Sequence, residues 1–215
     1  MLEIERNYLK IKKEGVVDMK IYTITGCGGI GKNTILTNLS VKNRKLKPII
    51  STTSRPQRWG EVNGVQYNFV SKEKAQEMLN NNDFIEHRTY NVIGQDNKKD
   101  TWIYGIAKDS IDLNSDNNYI VIVDYQGRKE LEKYLENNDK RECLTSFYID
   151  GSYQTRLSRY LTRGHMEDSE VLEAIRRFED DNKNVLPAKL DSDYVISNEY
   201  KINNAVNRIL DIMGD

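Results

Sequence analysis

Cysteine is scarce: the chain has two in 215 residues, Cys27 and Cys143, far apart and without metal-ligand spacing. That excludes a disulfide scaffold and a cysteine metal cage, and it points to a reducing, cytoplasmic compartment. The two histidines, His87 and His165, are isolated and equally lack ligand spacing. Neither sign of charge is in excess, since 32 lysines and arginines offset 33 aspartates and glutamates for a net charge of −1. No broad field therefore invites nucleic acid or a membrane, and any basic site must be local. No apolar run is long enough to span a bilayer, and residues 1–18 carry too much charge for the apolar core of a signal peptide. The expectation is a soluble protein in which these 18 residues form an extension ahead of the domain. Low-complexity tracts are missing, apart from asparagine patches such as Asn80 to Asn82 that read as loops.

What is present begins at Lys20 to Thr34, KIYTITGCGGIGKNT. Ile21, Thr23 and Thr25 alternate with Tyr22 and Ile24, the pattern of a buried strand, and Gly26 to Lys32 has the Gly-x-x-x-x-Gly-Lys spacing of a phosphate-binding P-loop. Gly26, Gly28, Gly29 and Gly31 let backbone N–H groups turn inward around a polyphosphate, while Lys32 brings a cation to its terminal phosphates. Cys27 reads as a small residue that fits the turn. The usual pattern sets a hydroxyl directly after the lysine to ligate magnesium; here Asn33 intervenes before Thr34. Ile35, Leu36 and Leu39 then mark an apolar helical stripe, so the loop joins a strand to a helix.

Thr53 to Val70 reads TSRPQRWGEVNGVQYNFV. Arg55 and Arg58, three apart on a turn, make a fork for a dianionic monophosphate, and Tyr67 adds an O–H donor. With Glu61, Gly64 and Phe69 this segment resembles the signature of the guanylate kinase family, Thr-Ser/Thr-Arg-x-x-Arg/Lys-x-x-Glu/Asp-x-x-Gly-x-x-Tyr-x-Phe/Tyr, at every defined position. The resemblance covers nearly all of the chain from residue 20 onward.

It implies roles further along. Phe84-Ile85-Glu86 reads as a strand, and the family's glutamate at this place reads guanine, because one carboxylate accepts both N1–H and the exocyclic N2–H. Tyr104 matches a tyrosine that helps hold the monophosphate, and Ser51 belongs to the same acceptor site. Ile106 stands where a Ser or Thr contacts the base. Asn118 to Gly127, NYIVIVDYQG, reads as a strand buried on both faces and closing in Asp124, followed by a helix from Arg128 to Asn137. Asp124-x-Gln-Gly resembles the family's Asp-x-Asp-x-Gln-Gly with Ile122 in place of the first aspartate, so Asp124 carries the carboxylate function of that strand. Arg159, Arg163 and Arg177 fall where the family's lid arginines clamp the phosphates.

The expected architecture is α/β, a P-loop kinase fold with a doubly wound parallel sheet core, an inserted nucleoside-monophosphate arm and a helical lid. Residues 19–50, 107–152 and 182–215 form the core, 51–106 the arm and 153–181 the lid. The expected reaction is phosphoryl transfer from ATP to GMP or dGMP with Mg2+, its candidate ligands being Asn33, Thr34 and Asp124. The partners are small nucleotides, with no nucleic acid or membrane, and the chain is a monomer or homodimer. Two other readings stay open: a silent guanylate-kinase-like module that binds a protein, supported by Asn33, Ile106 and Ile122, and a related kinase for another phosphorylated acceptor.

Overall fold

The computed structural model describes residues 19–57, 60–93, 99–162, 178 and 185–214. The N-terminal extension, the tip of the predicted hairpin at 94–98 and most of the predicted lid lie outside these residues.

Strand β1 (Ile21–Gly26) is central, and its two faces explain its composition. Tyr22 and Ile24 enter one apolar cluster with Ile35, Leu39, Val206 and Ile209, whereas Ile21 enters another with Val121, Val123, Leu131 and Leu135. A strand covered on both sides has no polar face, hence the near-continuous β-branched run. Around it lie β2 (Leu46–Pro48), β7 (Asn118–Ile122), β8 (Leu144–Asp150) and β9 (Tyr194–Ser197), in the spatial order β2-β7-β1-β8-β9. All four pairings are parallel. Helices α1 (Lys32–Lys42) and α5 (Ile202–Met213) supply the first cluster and α3 (Tyr125–Glu136) the second, so the sheet is doubly wound.

The chain leaves β1 for β2, beyond β7, and only later places β8 on the other side. The carboxyl ends of β1 and β7 therefore flank a switch point, the place where open parallel sheets bind ligands. Between β2 and β7 a second, four-stranded sheet is inserted, in the order β4-β3-β6-β5. It comprises β3 (Thr52–Thr53), β4 (Asn68–Phe69), β5 (Phe84–Ile93) and β6 (Lys99–Ala107). Helix α2 (Lys72–Asn80) covers one face through Ala75, Met78 and Leu79 against Phe84 and Ile103. Ser71 caps its N-terminus, the hydroxyl accepting from Lys74 N–H at 3.1 Å. Beyond β8 come α4 (Tyr153–Leu161) and a helical segment at 185–190.

Two boundaries differ from expectation. The strand predicted to close in Asp124 ends at Ile122, and α3 begins at Tyr125 rather than Arg128. The cause is Asp124, whose Oδ1 accepts from Gly127 N–H at 2.6 Å and caps the helix three residues early. Strand β5, predicted over Phe84 to Glu86, continues to Ile93 because every residue from Glu86 onward pairs with β6. Pairing there overrides a polar composition.

Truncating Ile24, which is fully buried, to alanine is expected to cost about 2–5 kcal/mol of unfolding free energy in urea titration. Val41→Ala, at an exposed site on α1, is expected to change it by no more than about 0.5 kcal/mol.

Candidate active site

The glycine loop turns its N–H groups inward only if its carbonyls are held elsewhere, and side chains from three parts of the chain do this. Lys32 Nζ donates to the carbonyls of Gly26 (2.6 Å) and Cys27 (3.0 Å). Arg156 Nε donates to that of Gly28 at 2.9 Å. The Ile30 carbonyl accepts from Asn198 Nδ2 (2.7 Å) and Arg159 Nη1 (3.1 Å). Gly31 caps α1 from the left-handed region, and Gly29 shares that conformation at φ 78°. A Cβ on Gly29 would also stand 2.8 Å from the Arg156 carbonyl oxygen, so this position demands glycine. Asn33 and Thr34 lie exposed in the first turn of α1.

On the inserted sheet, Arg55 is buried, with 3% of its surface exposed. Its Nη2 contacts both Glu61 oxygens (2.7 and 3.0 Å), and Nη1 donates to the Pro56 carbonyl at 2.7 Å. The guanidinium lies 5.5 Å from the Tyr67 ring centre and 5.4 Å from that of Phe69, so the tyrosine contributes its π face as well as a hydroxyl. Burial alone would lower the Arg55 pKa; Glu61 and Tyr104 outweigh it and hold the group above its ordinary value. Tyr104 packs edge-on against Tyr67 and Tyr90. Ser51 is half-buried where β3 begins, its carbonyl accepting from Asn68 N–H. Of the predicted fork, Arg58 lies outside the described residues, as do Arg163 and Arg177.

Glu86, Arg88 and Tyr90 project from one face of β5, directly across from Ile106, Tyr104 and Trp102 of β6. Glu86 is 8% exposed. Burial pushes its carboxyl pKa up to about 7; the Arg88 guanidinium opposes the shift, and Asp124 and Glu130 reinforce it. A Cβ on Gly127 would sit 3.0 Å from Glu86 Oε2, which places the carboxylate against the N-terminus of α3. Because Asp124 follows β7, the neighbour of β1, this acid and the glycine loop stand at the ends of adjacent strands. Asp124 Oδ1 is engaged in the cap and Oδ2 faces Arg88 Nε at 3.5 Å, so its carboxylate organises the site's wall.

Several residues escaped sequence reasoning. Arg156 looks like any helix charge, yet it is buried and stacked 4.4 Å over Phe178 while holding the loop. Asn198 ends an otherwise ordinary strand, and only the adjacency of β8 and β9 brings it to Ile30. Arg88 and Glu130, paired at 3.1 Å, lie 42 positions apart. The order Ile-x-Asn at Ile196 to Asn198 was the one available signal for Asn198.

A glycine phosphate nest at the switch point of a parallel sheet, with an inserted sheet carrying a buried acid and arginine, defines an α/β protein of the P-loop kinase fold. The chain belongs to the guanylate kinase family, whose family model matches residues 18–214. It is 31% identical over 200 residues to a guanylate kinase of Mesoplasma florum, an alignment covering 90% of this chain and 60% of that protein. A guanylate kinase of Bartonella henselae is 28% identical over 218 residues, covering 99% and 88% of the two chains. One of Mycoplasmoides gallisepticum is 36% identical over 168 residues, covering 77% and 76%. Among solved structures, guanylate kinase from Anaplasma phagocytophilum superposes with a TM-score of 0.61 at 23% identity, over 91% of this chain and 85% of that one, and shares the fold. No helix among the described residues is long and apolar enough to cross a membrane.

In the unliganded protein the Glu86 carboxyl is expected to titrate in carbon-detected NMR with a midpoint of about 7 instead of the ordinary 4.5. Arg88→Met should move it higher, since the guanidinium favours the charged form. With the native pKa above the unfolded one, the native state retains a proton that the unfolded chain releases. Glu86 therefore becomes progressively destabilising as pH rises from 4.5 to about 7, and Glu86→Gln should flatten that slope in stability.

Proposed function

We propose that this chain transfers the γ-phosphoryl group of ATP to GMP or dGMP, yielding ADP and GDP or dGDP. The observation that carries the reading is the buried Glu86, an acceptor for two adjacent N–H groups, on the same sheet as an arginine and tyrosine cluster suited to a phosphate dianion. Guanine presents that donor pair and adenine does not.

The donor is held by backbone N–H groups of Gly28 to Thr34 and by Lys32, whose ammonium already stands over the loop. The acceptor phosphate lies with Arg55, Arg58, Tyr67 and Tyr104, competing with Glu61 for Arg55, and Ser51 belongs to the same GMP site. Residues 51–106 act as the acceptor arm, 153–181 as the lid and the remainder from 19 as the core. Arg159, fixed on the Ile30 carbonyl, stands at the loop's edge, and Arg163 and Arg177 approach the transferring group on closure. In phosphoryl transfer the protein's task is to align two anions and neutralise the charge between them.

A magnesium ion, when bound with the donor, would supply part of that neutralisation. The exposed amide and hydroxyl oxygens of Asn33 and Thr34 are hard donors that suit it, while Asp124 has one oxygen committed to its cap. Among the described residues no group of three or more His, Cys, Asp or Glu is placed to hold a metal ion. A cytoplasmic location fits the ATP and GMP pools such an enzyme would draw on.

An ADP-release assay across GMP, dGMP, AMP, UMP and ribose 5-phosphate is expected to rank the guanine nucleotides first. Glu86→Ala should lower kcat/KM for GMP by roughly 10²–10³-fold while changing KM for ATP less than about threefold. A folded protein without turnover would support the silent module, and a faster AMP, UMP or sugar phosphate would move the acceptor. Because Glu86 accepts from both N–H groups at once only when ionised, kcat/KM for GMP should rise with pH through about 7, and Glu86→Gln should remove that inflection.

A further inference from the structure

The hairpin face that carries Glu86 holds a second charged group that the roles above leave unused. Arg88 stands two residues further along β5, across from Tyr104, with 21% of its side chain exposed. A guanidinium has five N–H donors in a planar fork. Here Nη1 donates to the His87 carbonyl (2.5 Å) and to Glu130 Oε1 (3.1 Å), and Nε faces Asp124 Oδ2 at 3.5 Å. Both N–H groups of Nη2 lack an acceptor among the described residues, although the atom is buried. The residue directly across from Glu86 is Ile106, fully buried and without a hydrogen-bonding group on its side chain. Any polar atom of a base lying next to the pair read by Glu86 must therefore be met by something other than position 106.

We propose that Arg88 is a specificity-determining residue: its Nη2 donates to the ring carbonyl oxygen of the acceptor purine while Glu86 accepts from the N1–H and exocyclic amine beside it. The proposal rests on the GMP reading above. Guanine's edge runs carbonyl oxygen, N1–H, amine, which is acceptor, donor, donor. Arg88 Nη1 lies 3.8 Å from Glu86 Oε2, so the face offers a donor followed by a two-lobed acceptor, the complement of that order. Arginine on the carbonyl oxygen of guanine is the commonest specific contact between this side chain and a base. Adenine inverts the first two positions, turning an amine toward the guanidinium and a bare nitrogen toward the carboxylate. Glu130 and Asp124 hold the opposite side of the fork and orient Nη2 before a ligand arrives.

The test compares kcat/KM for GMP, 6-thio-GMP and IMP in the wild type, Arg88→Met and Arg88→Lys, with thermal unfolding of each. Sulfur is the poorer acceptor, so the wild type should prefer GMP over 6-thio-GMP roughly tenfold, falling below about threefold in both variants. The preference for GMP over IMP, which depends on the amine at Glu86, should hold within about twofold. A thio preference that survives both substitutions, or a wild-type preference near one, overturns the proposal. So does an equal loss on all three substrates, the signature of an arginine that only ties β5 to Glu130. Should Arg88→Met fail to fold, Arg88→Lys decides, because it keeps a cation beside Glu130 and lacks the second nitrogen. If the wild type turns over no GMP, the GMP reading itself fails and this assignment falls with it; if it does and the thio preference persists in the variants, Arg88 alone is misassigned.

Discussion

A backbone loop can bind polyphosphate only when its own carbonyl oxygens are held away from the anion. In this protein that constraint draws in much of the fold. Lys32 takes two of the carbonyls from the first turn of α1, Arg156 and Arg159 take others from α4, and Asn198 reaches Ile30 from beyond β9. Arg156, Arg159 and Asn198 arrive where they do because of the strand order β1-β8-β9, and Asn198 is itself fastened by its N–H to the Asp150 carbonyl at 2.8 Å. Under the proposed function, Lys32 and Arg159, which fix the loop, also stand beside the donor phosphates. Structural support and electrostatic preorganisation thus come from the same side chains.

The inserted sheet deals with the opposite problem, a buried acid. Glu86 is taken out of water beside an apolar isoleucine, and Asp124 and Glu130 add like charge nearby. Arg88 relieves only part of that cost. A buried carboxylate gains most from a ligand that brings two N–H donors, so under the proposed function binding energy is concentrated in the feature that distinguishes guanine. Arg55, buried against Tyr67 and Phe69, is likewise neutralised by Glu61, whose place a phosphate would take under the proposed function.

What could be read in advance was whatever depends on short spacing. The strand-loop-helix at Lys20 to Leu39 carries its chemistry within a few residues and appears as predicted, and in the run from Thr53 to Phe69 the structure brings Arg55 to the Tyr67 and Phe69 rings. Asp124 was legible as a site residue and misplaced as a strand end, because Asp-x-x-Gly is also a helix cap and the cap prevailed. The length of β5 was hidden because His87, Arg88, Thr89 and Asn91 have no strand pattern of their own; they extend only because β6 lies alongside. Arg88 illustrates the limit well, since a charged residue in a polar stretch acquires meaning only from partners on another helix.

Local order of residues thus decided the chemistry on offer: a phosphate nest, a cationic fork and an acid spaced from them along the chain. Those properties follow from backbone freedom and side-chain type over a handful of bonds. Tertiary structure alone decided which carbonyls the distant Arg156 and Asn198 restrain, and that Glu86 is dry and shares its face with Arg88. Burial and through-space pairing depend on strand order and helix packing, which join residues many tens of positions apart and leave no trace in local spacing.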